Sequence, residues 1–243
     1  MELAGRVALV TGGGRRLGRA LAEALGRKGA RVAVHYSASA AGAGETVATI
    51  RGAGGEAESF HADLGDAAAV APLIEAVLTR FGRLDVLVNS AAVMERTPFG
   101  GVTAEQWDAM FALNLRAPFL LSQAAAPALV ERGGVIVNMA DLAAFESWPA
   151  YVPHGISKAG IVQMTRALAR VLAPAVRVNA IAPGAVLLPD DWDDASGEHL
   201  AQTTPLRRLG SPDDVVGALL YLIAADYVTG ETIIVDGGRH VRS

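Results

Sequence analysis

Short runs of β-branched and other apolar residues alternate along this chain with longer amphipathic stretches that are rich in Ala and Leu. Such alternation is typical of successive strand and helix units around a parallel sheet. We predict strands at Val7–Val10, Arg31–His35, Ala57–His61, Val86–Val88, Gly134–Met139, Arg177–Ile181 and Thr232–Val235. We predict helices at Arg16–Lys28, Ala40–Gly52, Ala67–Phe81, Ala104–Glu131, Pro149–Leu172 and Pro212–Ala224.

This order predicts the α/β class and one domain. The 243 residues, 51% of them hydrophobic, suit one large core. We therefore expect a single doubly wound fold over residues 1–243, with a seven-stranded parallel sheet and helices on both faces. In such folds ligands bind at the carboxyl ends of the strands.

A glycine-rich turn links the first predicted strand to the first predicted helix. Glycines allow a close approach of the backbone to a diphosphate, and the helix N-terminus offers free N–H groups. A glycine cluster in this position predicts a dinucleotide site of the Rossmann type. The residues we assign to it are Gly12, Gly14, Arg15, Arg16, Leu17 and Gly18.

The second strand ends in His35, Tyr36 and Ser37, without an acidic residue. An NAD site would place Asp or Glu there for the ribose hydroxyls, whereas arginine suits a 2'-phosphate. Because Arg15 and Arg16 lie in the preceding turn, the predicted cofactor is NADP(H).

Several motifs, taken in order and spacing, resemble the short-chain dehydrogenase/reductase family over essentially the whole chain. They are the turn from Thr11 to Gly18, His61-Ala-Asp-Leu, Asp85-Val-Leu-Val-Asn-Ser-Ala, Asn114, Val135-Ile-Val-Asn, Ser157-Lys-Ala, Arg177-Val-Asn-Ala-Ile-Ala-Pro-Gly and Val235-Asp-Gly-Gly. The resemblance implies further cofactor contacts for Asp63, Leu64, Asn89, Ser90, Ala91, Lys158, Pro183 and Gly184. Arg16 and the segment His35-Tyr-Ser are similar to the pteridine reductase branch, which uses NADPH.

The family places a Tyr four residues before its catalytic Lys, and a Ser thirteen residues before that Tyr. Counting back from Lys158 gives His154 and then Asp141. The resemblance thus implies that His154 takes the place of the tyrosine, and that the Asp141 carboxylate joins a proton relay as in pteridine reductases. It also makes Asn114 a relay residue that bends its helix near Lys158.

Residues 151, 154 and 158 have the spacing of one helix face, so their side chains are expected to approach the same edge of the cofactor. A neutral His154 would still donate one ring N–H. One hypothesis is that Asp141 and His154 relay a proton to a substrate that receives hydride. Two alternatives stay open: Tyr151 is the donor, or the site has none.

Residues 183–208 are rich in Pro and Asp and form the one long segment without a periodic pattern. Irregular stretches of this length are usually lids or binding loops, so we predict a substrate lid at about 185–208. Val93 stands where pteridine reductases present an aromatic ring to the pterin, and Trp192 in the lid is one candidate to supply a flat face.

The composition excludes several partners. The chain has no cysteine, a net charge of -4 and no run of basic residues, which argues against thiol chemistry, nucleic acid and anionic membranes. With no apolar run of membrane length and no signal peptide pattern, we expect a cytoplasmic protein. The five histidines form no metal-ligand pattern, so no metal is predicted.

Three classes of function remain open at this point. The first is an NADPH-dependent reductase of a carbonyl or a pteridine-like C=N bond. The second is a catalytically silent NADP(H)-binding or sensor protein, and the third is non-redox chemistry on the same fold. The expected partners are a small-molecule substrate and further copies of the chain, since the Ala- and Leu-rich helices 104–131 and 149–172 suit a homo-oligomer, a tetramer or a dimer.

Overall fold

The computed structural model describes residues 1–188 and 193–241. Within them lies one parallel sheet with the strand order β3-β2-β1-β4-β5-β6-β7. The strands are β1 (Val7–Val10), β2 (Arg31–Tyr36), β3 (Ala57–His61), β4 (Val86–Asn89), β5 (Val135–Met139), β6 (Arg177–Pro183) and β7 (Thr232–Val235). The predicted fold class is confirmed, and each predicted strand is found to within two residues at either end.

Helices cover both faces of this sheet. They are α1 (Arg16–Arg27), α2 (Ala40–Gly52), α3 (Val70–Phe81), α4 (Ala104–Phe111), α5 (Ala117–Arg132), α6 (Val152–Leu172), α7 (Asp194–Thr203) and α8 (Pro212–Ala224). In the part of the chain that the structure describes, no helix is both long enough and apolar enough to cross a membrane.

Alternate side chains of β1 pack against the helices on opposite faces of the sheet. Ala8 and Val10 pack into the core formed with α1, α2 and α8, whereas Val7 and Leu9 pack into the core formed with α3 and α5. Both sides of the strand are therefore buried, as a parallel sheet with helices on both faces requires.

The predicted helix Ala104–Glu131 is in fact interrupted. A π-helical turn at Ala112–Arg116 separates α4 from α5. Pro118 lacks the N–H that would bond to the carbonyl of Asn114 in a regular α-helix, and the Asn114 side chain is held by the backbone of Val93. The apolar pattern continues across this turn and therefore predicts one helix, whereas the resemblance places a bend at Asn114.

Two further predictions need correction. The helix predicted from Pro149 begins at Val152, because Tyr151 has φ −137° and ψ 34° and stays outside it. The segment predicted to be irregular contains α7, whose first turn is capped by the Asp193 carboxylate accepting from the Ser196 amide at 2.8 Å. Residues 189–192, which include Trp192, lie outside the described residues, so the lid remains a prediction.

The order of the strands reverses at β1, where β2 lies on one side and β4 on the other. A crevice opens at the carboxyl ends on either side of such a point. One hydroxyl joins the two strand ends there: Thr11 Oγ1 accepts from the amides of Ser90 at 2.9 Å and Ala91 at 3.0 Å. The Thr11 side chain is buried.

We expect Thr11→Val to lower the free energy of unfolding by about 1–3 kcal/mol, because it leaves two amides at the end of β4 without their acceptor. Thr11→Ser keeps the hydroxyl and is the matched control. Chemical denaturation of the three proteins measures the difference. Equal stability of the Val and Ser variants would show that the hydroxyl does not join the strands.

Candidate active site

A cleft of about 710 Å³ runs along the carboxyl ends of the central strands, a volume that is ordinary for a cofactor and substrate site. Every residue that the sequence assigned to the site lines this cleft except Asn89, Asn114 and Tyr151. The fold therefore brings together segments that are as much as 172 residues apart in the chain, from Gly12 to Gly184.

The glycine-rich turn is closely packed at two positions. Gly12 has φ +66°, and a Cβ there would lie 3.0 Å from the Cα of Ala91. A Cβ at Gly18 would collide with the carbonyl of Gly12. The turn thus needs glycine at both places, and it leads into α1, whose N-terminus has no side-chain cap.

The side chain of His35 stabilises the glycine-rich turn through a hydrogen bond. Its buried ring accepts a hydrogen bond from the Gly12 amide at Nδ1, at 3.1 Å, and donates from Nε2 to the Ala62 carbonyl at 3.0 Å. Burial lowers the pKa of His35, although the bond to Ala62 works in the opposite direction. His35 is therefore neutral, with its proton on Nε2, and its polar atoms hold the turn.

The two arginines of the turn differ in position. Arg16 has φ +49° and donates to the carbonyls of Leu187 at 3.1 Å and Leu188 at 2.9 Å. It therefore joins the turn to the segment after β6. Arg15 is exposed and lines the cleft, as do Tyr36 and Ser37 at the end of β2.

Asp141, His154 and Lys158 meet at the other end of the cleft. Asp141 follows β5, and its Oδ1 caps a short 3₁₀ turn by accepting from the Ala143 amide at 2.8 Å. Its Oδ2 lies 3.8 Å from Nε2 of His154, on the first turn of α6. Lys158, one turn further on, donates from Nζ to the Met139 carbonyl at 2.8 Å.

The environment of Lys158 changes its acidity. Burial of the amine lowers the pKa of Lys158 from 10.5 to about 8, and the nearby Asp141 carboxylate raises it in part. The amine can therefore exchange a proton within one or two pH units of neutrality, which is unusual for lysine and common in functional sites.

Asn89 and Asn114 lie behind the cleft. Asn89 Nδ2 donates to Asn138 Oδ1 at 2.8 Å, within the buried core. Asn114 holds both backbone groups of Val93: its Oδ1 accepts from the amide and its Nδ2 donates to the carbonyl, each at 2.9 Å. Both asparagines therefore act on the backbone or the core, and Asn114 marks the bend that the resemblance implied.

Tyr151 does not share a helix face with His154 and Lys158. It precedes α6, pairs as an isolated bridge with Thr97, and packs edge-on against Trp148 with ring centroids 6.3 Å apart. The prediction of one face for all three residues is wrong for Tyr151, because the helix starts one residue too late to include it.

The Val93 carbonyl is a part of the site that the sequence did not reveal. It accepts from Asn114 and also from Nδ1 of His154 at 3.2 Å. A backbone carbonyl has no signal in the sequence, since any residue at position 93 provides one. The signal in the sequence for this part of the site was Asn114, a polar residue in an apolar helical stretch.

The fold and the cleft define a Rossmann-type protein. Residues 13–240 match the family model described as enoyl-(acyl carrier protein) reductase. The 3-oxoacyl-[acyl-carrier-protein] reductase of Synechocystis sp. is 37% identical, over 97% of this chain and 97% of that protein. The chain belongs to the short-chain dehydrogenase/reductase family.

Solved structures of similar proteins have the same fold. FolM alternative dihydrofolate reductase 1 from Brucella canis, complexed with NADP, superposes with a TM-score of 0.94 at 32% identity, covering 100% of this chain and 96% of the other. The angucycline C-6 ketoreductase LanV with bound NADP gives a TM-score of 0.92 at 34% identity, covering 99% and 98%. These neighbours support the predicted cofactor, NADP(H).

We expect the side-chain amine of Lys158 to titrate near pH 8. The chain has two lysines, Lys28 and Lys158, so lysine-labelled protein gives two side-chain signals in an NMR titration, and Lys28→Arg assigns them. Asp141→Asn should move the Lys158 titration to lower pH, because the lost carboxylate no longer favours the charged amine. An unchanged titration of Lys158 in this variant would contradict the assigned effect of Asp141 on the pKa of Lys158.

Proposed function

We propose that this protein is an NADPH-dependent reductase that transfers hydride to a carbonyl or to a pteridine-like C=N bond. The observation that carries the proposal is the cluster of Asp141, His154 and Lys158 in the same cleft as the glycine-rich turn. Two titratable groups, His154 and Lys158, are buried there, as acid–base catalysis favours. The resemblance to short-chain reductases assigns the same positions to proton transfer.

The cleft fits NADP(H). The close approach of Gly12 to Ala91 and the uncapped start of α1 suit a diphosphate. The end of β2, at His35, Tyr36 and Ser37, lacks the carboxylate of an NAD site, and Arg15 adds a positive charge to the same cleft. By the resemblance, Asp63 and Leu64 border the adenine, while Pro183 and Gly184 border the nicotinamide.

Each residue of the cluster has one task in this proposal. When bound, NADPH would supply a hydride to the substrate carbon. His154 supplies the proton to the substrate oxygen or nitrogen, and Asp141 stabilises the charged ring. Lys158, held by the Met139 carbonyl, offers its remaining N–H groups to the ribose hydroxyls.

The lining of the cleft also indicates a substrate class. Val93, Met94 and Leu187 give the cleft an apolar surface, which suits a ketone or a flat ring. The Asp141 carboxylate can also accept an N–H group, as a pteridine-like ring would provide. The lid predicted at about 185–208 belongs to this proposal. It is supported by the Arg16 bonds to the carbonyls of Leu187 and Leu188, which join the start of that segment to the glycine-rich turn.

We also infer a homo-oligomer, a dimer or a tetramer. Trp107 on α4, Phe119 on α5 and Ile156 on α6 are exposed large apolar side chains on the helices that the sequence assigned to an interface. Their burial against another copy would remove them from water.

We expect Arg15→Ala to weaken NADPH binding about tenfold, the loss of one exposed charged contact, and to leave NADH binding unchanged. Arg19→Ala removes the same charge from an arginine that is already paired with Glu23 and Glu45 and serves as the control. Fluorescence titration measures the six affinities, those of the parent and of both variants for NADPH and for NADH. An equal loss for NADPH and NADH would refute the assignment of Arg15 to the 2'-phosphate.

We expect His154→Gln to lower the rate of NADPH oxidation by about 10²–10⁴-fold, the usual worth of a general acid, with NADPH affinity retained. Tyr151→Phe should keep the rate, because Tyr151 lies outside the cleft. The assay uses NADPH with a panel of diketones, quinones and quinonoid pteridines. Loss of activity in the Tyr151 variant alone would identify Tyr151 as the donor.

The same assay separates the proposed reductase from the silent alternative. Tight NADPH binding by the parent protein, with no turnover across the panel, would favour a catalytically silent NADP(H)-binding protein. Turnover by the parent that survives His154→Gln would instead assign the proton to another group.

A further inference from the structure

We propose that the Val93 carbonyl, held in place by Asn114, fixes which nitrogen of His154 carries the proton, so that the acid of this site is the imidazolium acting through Nε2. This inference rests on the proposed reductase function. Asn114 is then a positioning residue, since it acts on His154 through the backbone of Val93.

The first step is the fixed position of the Val93 peptide. Asn114 accepts from its amide and donates to its carbonyl, each at 2.9 Å. Asn114 is itself buried in the π-helical turn and also donates to Ser157 Oγ at 3.3 Å. The carbonyl of Val93 is thus held rigidly, with a second lone pair available.

The second step is the tautomer of His154. Nδ1 lies 3.2 Å from the Val93 carbonyl oxygen, and because a carbonyl can only accept, Nδ1 must donate. The neutral ring has one N–H, which this bond uses. Nε2 then carries a lone pair, so neutral His154 can accept a proton from a substrate and cannot donate one.

The third step is the environment of Nε2. This nitrogen is buried and has no hydrogen-bond partner among the described residues, a state that normally costs free energy. Asp141 Oδ2 is 3.8 Å away, beyond a hydrogen bond yet close enough to stabilise a charged ring. His154 is one of the residues that line the cleft, and in the proposed reaction a substrate oxygen becomes the partner of Nε2.

The charged and titratable groups that share the cleft with His154 are Asp141 after β5, Lys158 on α6, and a second set at the adenosine end, namely Arg15, Arg16, His35, Tyr36 and Asp63. Asp141 approaches the ring through Oδ2, which lies 3.8 Å from Nε2.

In the reduction, the Nε2–H bond of the imidazolium breaks as the O–H bond of the product forms. His154 is left neutral, with its remaining proton on Nδ1. A new proton taken up from the solvent, which reaches the partly exposed Asp141 carboxylate, restores the Nε2–H bond. In the oxidation the neutral ring takes the hydroxyl proton, so the two directions require opposite charge states of one side chain.

The test is the protonation state of His154 observed by ¹⁵N NMR on the full chain labelled at histidine, with and without NADPH. His154→Gln identifies its signals among the five histidines. At alkaline pH we expect the neutral Nδ1–H tautomer for His154. His35, whose Nδ1 accepts from Gly12 and whose Nε2 donates to Ala62, should show the opposite tautomer in the same spectrum and is the internal control.

Asn114→Ala should convert the His154 signals to a mixture of tautomers, and it should lower kcat more than it raises KM, because it affects the donor and not substrate binding. His154→Tyr gives a second readout that does not depend on this variant. The rate of reduction by the parent should fall as the pH rises, and the rate of oxidation should increase. The phenol of the His154→Tyr variant has an ordinary pKa of about 10 and should move both pH–rate profiles to higher pH.

An Nε2–H tautomer for neutral His154 would overturn the proposal, as would unchanged tautomers in Asn114→Ala or unchanged pH profiles in His154→Tyr. The NMR result does not require turnover. An inactive parent with the Nδ1–H tautomer would therefore favour the silent alternative over the reductase and leave the assigned tautomer standing.

Discussion

The burial of both faces of a parallel sheet is the constraint on which the rest of this structure depends. β1 contributes Ala8 and Val10 to one core and Val7 and Leu9 to the other, so no side chain of the strand is available for chemistry. Because all seven strands run in parallel, their carboxyl ends lie at the same edge of the sheet. The turn after β1, the segment after β4 and Asp141 after β5 consequently meet in one cleft.

Most of this arrangement could be predicted from local signals in the sequence. The period of apolar residues located the strands, and the glycines that must accommodate a close backbone, Gly12 and Gly18, located the nucleotide turn. The predictions that failed depend on tertiary contacts instead. The π-helical turn results from Pro118 and from the bond between Asn114 and Val93, and Tyr151 is kept off α6 by its pairing with Thr97.

The chemistry of the site was harder to predict for a related reason. Three of its titratable side chains are held by backbone carbonyls: His35 by Ala62, His154 by Val93 and Lys158 by Met139. Carbonyl groups carry no residue identity, so no motif shows them.

These carbonyls also have a physical consequence. A carbonyl can accept and never donate, so it imposes a proton on the nitrogen that it contacts. His35 and His154 are held at opposite ring atoms, Nε2 and Nδ1, and the outcome differs accordingly. In His35 the free lone pair accepts from the amide of Gly12, whereas in His154 it has no partner among the described residues. The same residue type thus has a structural task in one place and, as we propose, a chemical task in the other.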